Sequence, residues 1–490
     1  MENSETGKTP DPDPAMELFT LLRASTPGTG ARLGRLSLPG RNPVETPNFF
    51  SGTSRGVVPH VTPDNLCRHP DLVRGAYMAF EDFIERNQKD PTRIAPLLQT
   101  AGKMKTARPP LHAFTALPDP IPTVLGARRM PPVACSLGNM ADAVSVFTST
   151  GVQTLTTAQY ADAIVNLRPD IVVPMADLTF TTGTPSSKRA VRMADRTEDW
   201  MIKLRKQLDG GAKSSKTAIF APTLPIPHPI QWEYLRCLNE DMAGFIKGLA
   251  VYDVDILPDL AGYEKLNQLP RLSLDLPNTP HQILRQISLG VDVILLPFIN
   301  AYSEAGVAFT FTLSTSSTSQ NSSSSSSLPP PPPPPNPPTT LLPLGVDLSS
   351  PEHNTSLSPL SDGCTCPACA THHRAYVHHL LSAREMLAWT LLQVHNHHVV
   401  ASLFASARAS LAAGTLEADA DRFAAAYEPD LPVGGGERPR ARGYNYGKGR
   451  DSGDAPPPKL NRPAWGKLGE ANGVDPAATV AAVPAPMDLP

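Results

Sequence analysis

The chain has 490 residues, a formal net charge of −3, 55 prolines and six cysteines. So small a net charge excludes a protein-wide basic field, and any RNA contact must come from a local patch. No apolar run approaches the roughly 20 residues that span a bilayer, and the opening MENSETGKTPDPDP has neither the basic nor the apolar region of a signal peptide.

Taken in order, residues 1–15 are polar and proline-bearing and read as a disordered N-terminus. Segments 19–23 and 35–38 are strand candidates that, with 48–50, make a small antiparallel lid. Residues 56–62 form a turn that leads into a helix at Pro63. From Pro110 onward, short apolar runs alternate with amphipathic segments. The runs 170–175, 217–220, 248–251, 271–274 and 291–296 are aliphatic or β-branched, as buried parallel strands are. Helical patterning falls at 156–167, 190–208, 231–245 and 279–289, the last with Asn278 or Thr279 as cap, Pro280 in its first turn and Gly290 as stop.

Repeated strand-helix units without a Gly-rich dinucleotide fingerprint predict an α/β fold, a (β/α)8 TIM barrel rather than a doubly wound sheet. The barrel is expected over 16–427, with a Ser/Pro-rich insertion at 314–343 and a zinc-binding helical hairpin within 359–400. A helix over 415–427 closes it, and 428–490 reads as a disordered Gly/Pro/Arg-rich tail. There Arg438, Arg440, Arg442, Tyr444, Tyr446, Lys448 and Arg450 interleave cations and aromatics, a composition common to RNA-stacking segments and to solvated tails.

The densest chemistry lies at 363–398, GCTCPACATHHRAYVHHLLSAREMLAWTLLQVHNHH, which holds three of the cysteines and seven of the thirteen histidines. Cys364, Cys366 and Cys369 are spaced too tightly for mutual disulfides but suit three thiolates converging on one ion, with an imidazole completing a tetrahedral Cys3His zinc site. A continuous helix from Cys369 to His395 would hold them roughly 39 Å apart, so the helix must break. Ser382 to Glu385 has the form of a capping box. Ser382 lies thirteen residues from Cys369 and thirteen from His395, so a hairpin folded there returns His395 to the thiolates, while His397 and His398 overshoot. A closed four-ligand site of this kind is structural rather than catalytic. Such a cluster, with Cys67, Cys135 and Cys237 scattered, suits a reduced cytoplasmic compartment.

Cys364-Thr-Cys366-Pro-Ala-Cys369, Arg374-Ala-Tyr376-Val-His378-His379-Leu380, Glu385-Met386-Leu387 and His395-Asn396 together resemble the zinc signature of the tRNA-guanine transglycosylases, barrel enzymes that exchange a guanine of tRNA for queuine or a precursor. Weaker fragments follow the family's order: Thr46-Pro47, Arg168-Pro-Asp170-Ile171, Gly248-Leu-Ala-Val251, Gly290-Val-Asp292 and Pro359-Leu360. The resemblance spans about residues 17–427, apart from the insertion.

It also implies where catalysis should sit. Base exchange needs a carboxylate to attack the ribose anomeric carbon and a second acidic group to manage protons and charge. Catalytic members carry the nucleophile in a GVDxFD-like block; here Leu295 stands at that position, and Asp292, three residues earlier on a strand, should face the other way. No SDSGG-type block occurs in the barrel, Asp451-Ser-Gly-Asp454 being a look-alike in the tail. The base-recognition turn is replaced by Phe220-Ala-Pro-Thr-Leu-Pro225, Tyr252 stands where a glycine keeps room for the base, and the arginines expected after the nucleophile are missing from 297–304.

The resemblance is therefore to non-catalytic members that pair with a catalytic subunit on tRNA, and it extends to a possible attachment at the mitochondrial outer membrane. The competing expectation is a self-sufficient enzyme, either a transglycosylase with relocated carboxylates or a barrel acting on another nucleoside, that uses Asp177, Asp253, Asp275 or Asp292.

Overall fold

The computed structural model describes residues 17–24, 30–84, 95–104, 108–135, 137–148, 151–179, 183–209, 217–315 and 341–439. The Ser/Pro stretch 316–340, Asp451 to Asp454 and the basic segment from Arg440 onward lie outside them.

Three short strands, β1 (Phe19–Arg23), β2 (Leu33–Leu36) and β3 (Val44–Thr46), pair as an antiparallel sheet. The next strand, β4 (Asn48–Gly52), does not join them, contrary to the lid expected from sequence. All five of its residues are buried, and it pairs in parallel with strands on both sides. It opens a closed eight-stranded barrel that continues through β5 (Ala76–Ala79) and β6 (Thr123–Gly126). An antiparallel hairpin, β7 (Ala143–Thr148) with β8 (Gly151–Thr156), stands outside the barrel before β9 (Ile171–Val172) resumes it. The circuit closes through β10 (Ala218–Thr223), β11 (Ile246–Val251), β12 (Arg271–Ser273) and β13 (Val293–Leu295), the last pairing with β4. Spatial order equals chain order, and every barrel pairing is parallel. This is the TIM-barrel circuit.

Outside the strands run helices α1 (Pro63–Arg68), α2 (Pro96–Ala101), α3 (Pro110–Thr115), α4 (Thr157–Leu167), α5 (Ser187–Asp209), α6 (His228–Glu240), α7 (Glu264–Gln268), α8 (Pro280–Ser288) and α9 (Phe298–Glu304). Local chemistry sets their ends. Thr156 caps α4 in a full capping box with Gln159, and α8 begins as expected with Thr279 as cap and Pro280 in its first turn. Alternation along the strands sorts the core into two layers. Phe50, Tyr77, Val124, Ile171, Phe220, Ala250, Leu272, Val293 and Leu295 cluster inside the barrel, joined by Phe19, Leu36 and Val44 of the small sheet. Their neighbours Phe49, Leu125, Val172, Ile219, Leu249 and Ile294 face the helices.

After β14 (Val307–Phe309) and β15 (Gly345–Asp347), which pair antiparallel, come α10 (Pro367–Thr371), α11 (Arg374–Ala383), α12 (Met386–Ala413) and α13 (Leu416–Ala426). The helix does break between α11 and α12, but not at the expected capping box. The Ser382 hydroxyl donates back to the His378 carbonyl at 3.0 Å, a bond that prolongs α11 instead of starting α12. The turn falls at Arg384, which is left-handed (φ 59°), with the Glu385 amide closing onto the Leu380 carbonyl. No described helix is long and apolar enough to cross a membrane.

The last described residues differ from the loose tail that composition suggests. The Glu428 amide bonds the Leu342 carbonyl at 2.9 Å, Leu431 is buried, and residues 434–436 lie against the body.

Candidate metal centre and barrel mouth

Two short-range devices bring the cysteines together. Gly363 turns the chain with φ +72°, and Cys366 caps α10, its Sγ accepting from the Cys369 amide at 3.3 Å. The third device is long-range. Helix α12 returns His395 so that its Nδ1 lies 3.6, 3.5 and 3.4 Å from the sulfurs of Cys364, Cys366 and Cys369. All four donor atoms fall within 4.8 Å of one another.

These distances test whether the residues fit an ion. Zn–S bonds of about 2.3 Å and a Zn–N bond of about 2.0 Å at tetrahedral angles give an S···N edge of about 3.5 Å, which the three contacts straddle. The tautomer agrees. His395 Nε2 lies 2.8 Å from the Phe309 carbonyl, which can only accept, so Nε2 carries the proton and Nδ1 turns its lone pair toward the sulfurs. The contact with Cys364 pushes the Cys366 thiol up and pulls the Cys369 thiol down, so the sulfurs do not ionise as independent groups. The cluster can hold one four-coordinate metal ion.

The neighbouring histidines have other work. His397 Nδ1 donates to the Gln393 carbonyl at 2.9 Å and its Nε2 takes the Ser51 hydroxyl at 3.0 Å, joining α12 to β4; burial pulls its pKa down to about 4. His378 bonds the Leu348 carbonyl at 2.8 Å, and His373 caps α11. Asn396, a residue to which the sequence reading assigned no role, receives the Phe309 amide at 2.8 Å and donates to the Val307 carbonyl at 2.9 Å, fastening β14 to α12.

Leu295 ends β13 fully buried, in the cluster that fills the barrel. The chain matches the family model for queuine tRNA-ribosyltransferase over residues 27–429. It is 32% identical over 441 residues to queuine tRNA-ribosyltransferase accessory subunit 2 of Schizosaccharomyces pombe, covering 89% of each chain. The protein of the same name from Xenopus laevis is 27% identical over 427 residues, covering 82% of this chain and 98% of the frog protein. The chain belongs to the queuine tRNA-ribosyltransferase family.

In this family member, the carboxylates near the strand ends are already engaged. Asp177, fully buried, takes both terminal nitrogens of Arg189 at 2.6 and 2.7 Å and Arg196 at 3.0 Å. Asp292 sits at the opposite end of its strand from Leu295, paired with Arg32 and accepting the Arg271 amide at 2.8 Å. Asp253 caps the following turn through the Asp255 amide at 3.0 Å, and Asp275 accepts the Val254 amide at 3.3 Å, burial raising its pKa. Residues 220–223 continue β10 as strand, so no open turn follows Phe220. Gln231, wholly buried and not singled out from sequence, consumes the next peptide groups: it accepts the Leu224 amide at 3.1 Å and donates to the Leu224 and Ile226 carbonyls at 2.8 and 2.6 Å. Tyr252 packs between the barrel interior and the Ala176–Leu224 cluster, where burial drives its phenol far above the usual range. Arg128, also missed from sequence, donates to Asn139 at 2.6 Å, and Asn139 in turn to Asp177 at 2.7 Å.

Proposed function

We propose that this chain is the non-catalytic accessory subunit of a heterodimeric queuine tRNA-ribosyltransferase. It pairs with a catalytic paralogue and supports the exchange of guanine for queuine at the wobble position of tRNAs with GUN anticodons. It binds one structural zinc through Cys364, Cys366, Cys369 and His395 and works in the cytoplasm, with the mitochondrial outer membrane as a possible point of attachment.

The observation that carries this reading is Leu295. Displacing guanine needs an oxygen nucleophile within reach of the anomeric carbon, and a leucine packed into the barrel has no lone pair to offer. Asp177 cannot take over while two guanidinium groups hold it, and Asp292 is at the wrong end of its strand. The names of the relatives from Schizosaccharomyces and Xenopus support the same role. When bound, zinc supplies a cross-link between the cysteine loop and α12, and this chain's residues position that link: the Phe309 carbonyl orients His395, and Asn396 holds β14 beside it.

The decisive experiment co-expresses the chain with a catalytic paralogue, purifies the pair, and measures queuine incorporation by each subunit alone and by both. Exchange should need both. Equal exchange by the paralogue alone would sink the reading, as would guanine release by this chain alone that disappears with Asp275→Asn.

A further inference from the structure

We propose that a cavity at the end of the barrel opposite its mouth binds a small organic monoanion with an aliphatic body, of the class of a medium-chain carboxylate. This site stands apart from the accessory role, and neither depends on the other.

The cavity has a volume of about 1080 Å3 and lies where β12 and β13 begin. Chemistry in TIM barrels belongs to the opposite face, at the strands' C-terminal ends, so this space is separate from the mouth beyond Leu295. Its walls are aliphatic and come from segments far apart in the chain: Leu21 of β1, Leu33 of β2, Leu257 after β11, Leu284 of α8, Leu411 of α12 and Leu416 of α13. The size and apolar lining are those of a small-molecule pocket.

The charge sits on the cavity's most buried side. Arg32 and Arg271 both line it, and they are only 6% and 4% exposed. Between them stands one carboxylate. Asp292 accepts Arg32 Nε at 3.0 Å, pairs again with a terminal nitrogen of Arg32, and takes the Arg271 backbone amide at 2.8 Å. The Arg271 side chain reaches neutral acceptors alone: the Gly290 carbonyl at 3.1 Å, Asn267 Oδ1 at 2.6 Å and the Asn267 carbonyl at 3.4 Å. Its buried Nε has no acceptor at all. Two guanidinium groups against one carboxylate leave an uncompensated positive charge, which is costly away from water. The strain shows in Arg271, whose pKa is pulled down to about 10 by burial first and by Arg32 second, with Asp292 opposing. Tight packing holds the pair there, since a Cβ on Gly30 would collide with the Leu289 carbonyl.

The remaining charges of the lining narrow the ligand. Arg23 donates to the Leu411 and Ala412 carbonyls at 2.6 Å, and Arg285 pairs with Asp255, so neither is needed to hold a ligand. His281 Nε2 donates to the Glu428 carbonyl at 2.9 Å. Glu417 and Asp421 are exposed on the α13 wall and weigh against a polyanion. One negative head answers the one excess charge, and an alkyl body answers the leucines.

The test titrates the purified full-length chain by calorimetry with octanoate, 1-octanol, octylammonium and inorganic phosphate. Octanoate should bind at least about tenfold more tightly than the alcohol or the ammonium, as a hydrogen bond to a charged group implies, and phosphate, which lacks the tail, should not bind measurably. Arg271→Met, checked for folding by circular dichroism, should lose at least about tenfold of octanoate affinity and leave octanol unchanged. A second variant, Ser288→Trp with Ala424→Trp, changes only exposed lining residues and keeps every charge; it should weaken octanoate and octanol alike. No octanoate binding by the wild-type chain, or octanol bound as tightly, would overturn the site. So would unchanged octanoate affinity in the folded Arg271→Met chain or in the tryptophan variant, which still decides the matter should Arg271→Met fail to fold.

Discussion

Leu295 and His112 show how single side chains divide the work between chemistry and architecture. Leu295→Asp puts a carboxylate where the proposed reading expects a nucleophile but sets it in the apolar cluster that holds Phe50, Tyr77, Phe220 and Leu272. An unpaired buried charge costs about 3–5 kcal/mol. The substitution should therefore lower the urea midpoint sharply and yield no base exchange; exchange by the isolated Leu295→Asp chain would show that only the nucleophile is missing. His112 lies at the other end of the barrel, wholly buried. Its Nε2 donates to the Ile121 carbonyl at 2.9 Å and its Nδ1 accepts from Arg41 at 3.2 Å, so the ring must be neutral. Burial lowers its pKa, the Arg41 and Arg108 charges act in the same direction, and Asp170 opposes them. The unfolded chain then binds more protons than the folded one below the ordinary histidine value of about 6.5, and stability falls as pH drops from there toward the lowered value. Urea midpoints at pH 7 and pH 5 should differ more for the native chain than for His112→Gln. An equal difference would mean that His112 is already charged in the fold.

At the level of elements, the caps explain which boundaries could be read in advance. Thr156 and Thr279 accept amides three residues on, at 3.2 and 3.4 Å, and the starts of α4 and α8 follow from that local chemistry. Ser382 has the same sequence signature, but its hydroxyl bonds backward, and the hairpin turns two residues later at Arg384. Thr156→Ala should therefore cost about 1 kcal/mol, whereas Ser382→Ala should cost under about 0.5 kcal/mol. Urea titrations of the two variants separate the cases, and equal losses would restore the capping box. The barrel strands show the same limit. Those from β9 to β13 were legible because apolar runs alternate with long amphipathic helices. β5 (AYMA) and β6 (TVLG) are only four residues each, with α1 to α3 no longer than six residues beside them, so no periodicity could build up. β4 was misassigned because pairing across the barrel to β13, some 245 residues away, leaves no local mark. The metal cluster was legible because ligand chemistry restricts residue type, spacing and closure together. Arg128, Asn139 and Gln231 were not, since a side chain that satisfies backbone or carboxylate at a distance carries no motif.

Across the whole molecule, α12 is the member through which the metal cluster and the barrel depend on each other. It is buried on nearly every side: His395 faces the thiols, Asn396 holds β14, His397 reaches β4, and Phe404 stacks on Phe49 at 5.4 Å between ring centroids. Losing the ion would free the cysteine loop and one face of this helix, while the barrel circuit keeps its own hydrogen bonds. Because structural zinc contributes about 10–16 kcal/mol of site formation in small domains, loss of a ligand should exceed the cost of an ordinary core substitution. Cys366→Ala, which removes a wholly buried member of the cluster, should copurify with less than about one-tenth of an equivalent of the proposed zinc and unfold at a lower temperature. Its far-ultraviolet circular dichroism should change little, since the barrel strands and their helices lie outside the cluster. If the hairpin forms the face that meets the catalytic subunit, pairing should fail in this variant at temperatures where the barrel is still folded. Size-exclusion chromatography of the mixed subunits, with metal analysis of each peak, separates the outcomes: a zinc-free heterodimer of normal stability would place the interface elsewhere on the barrel.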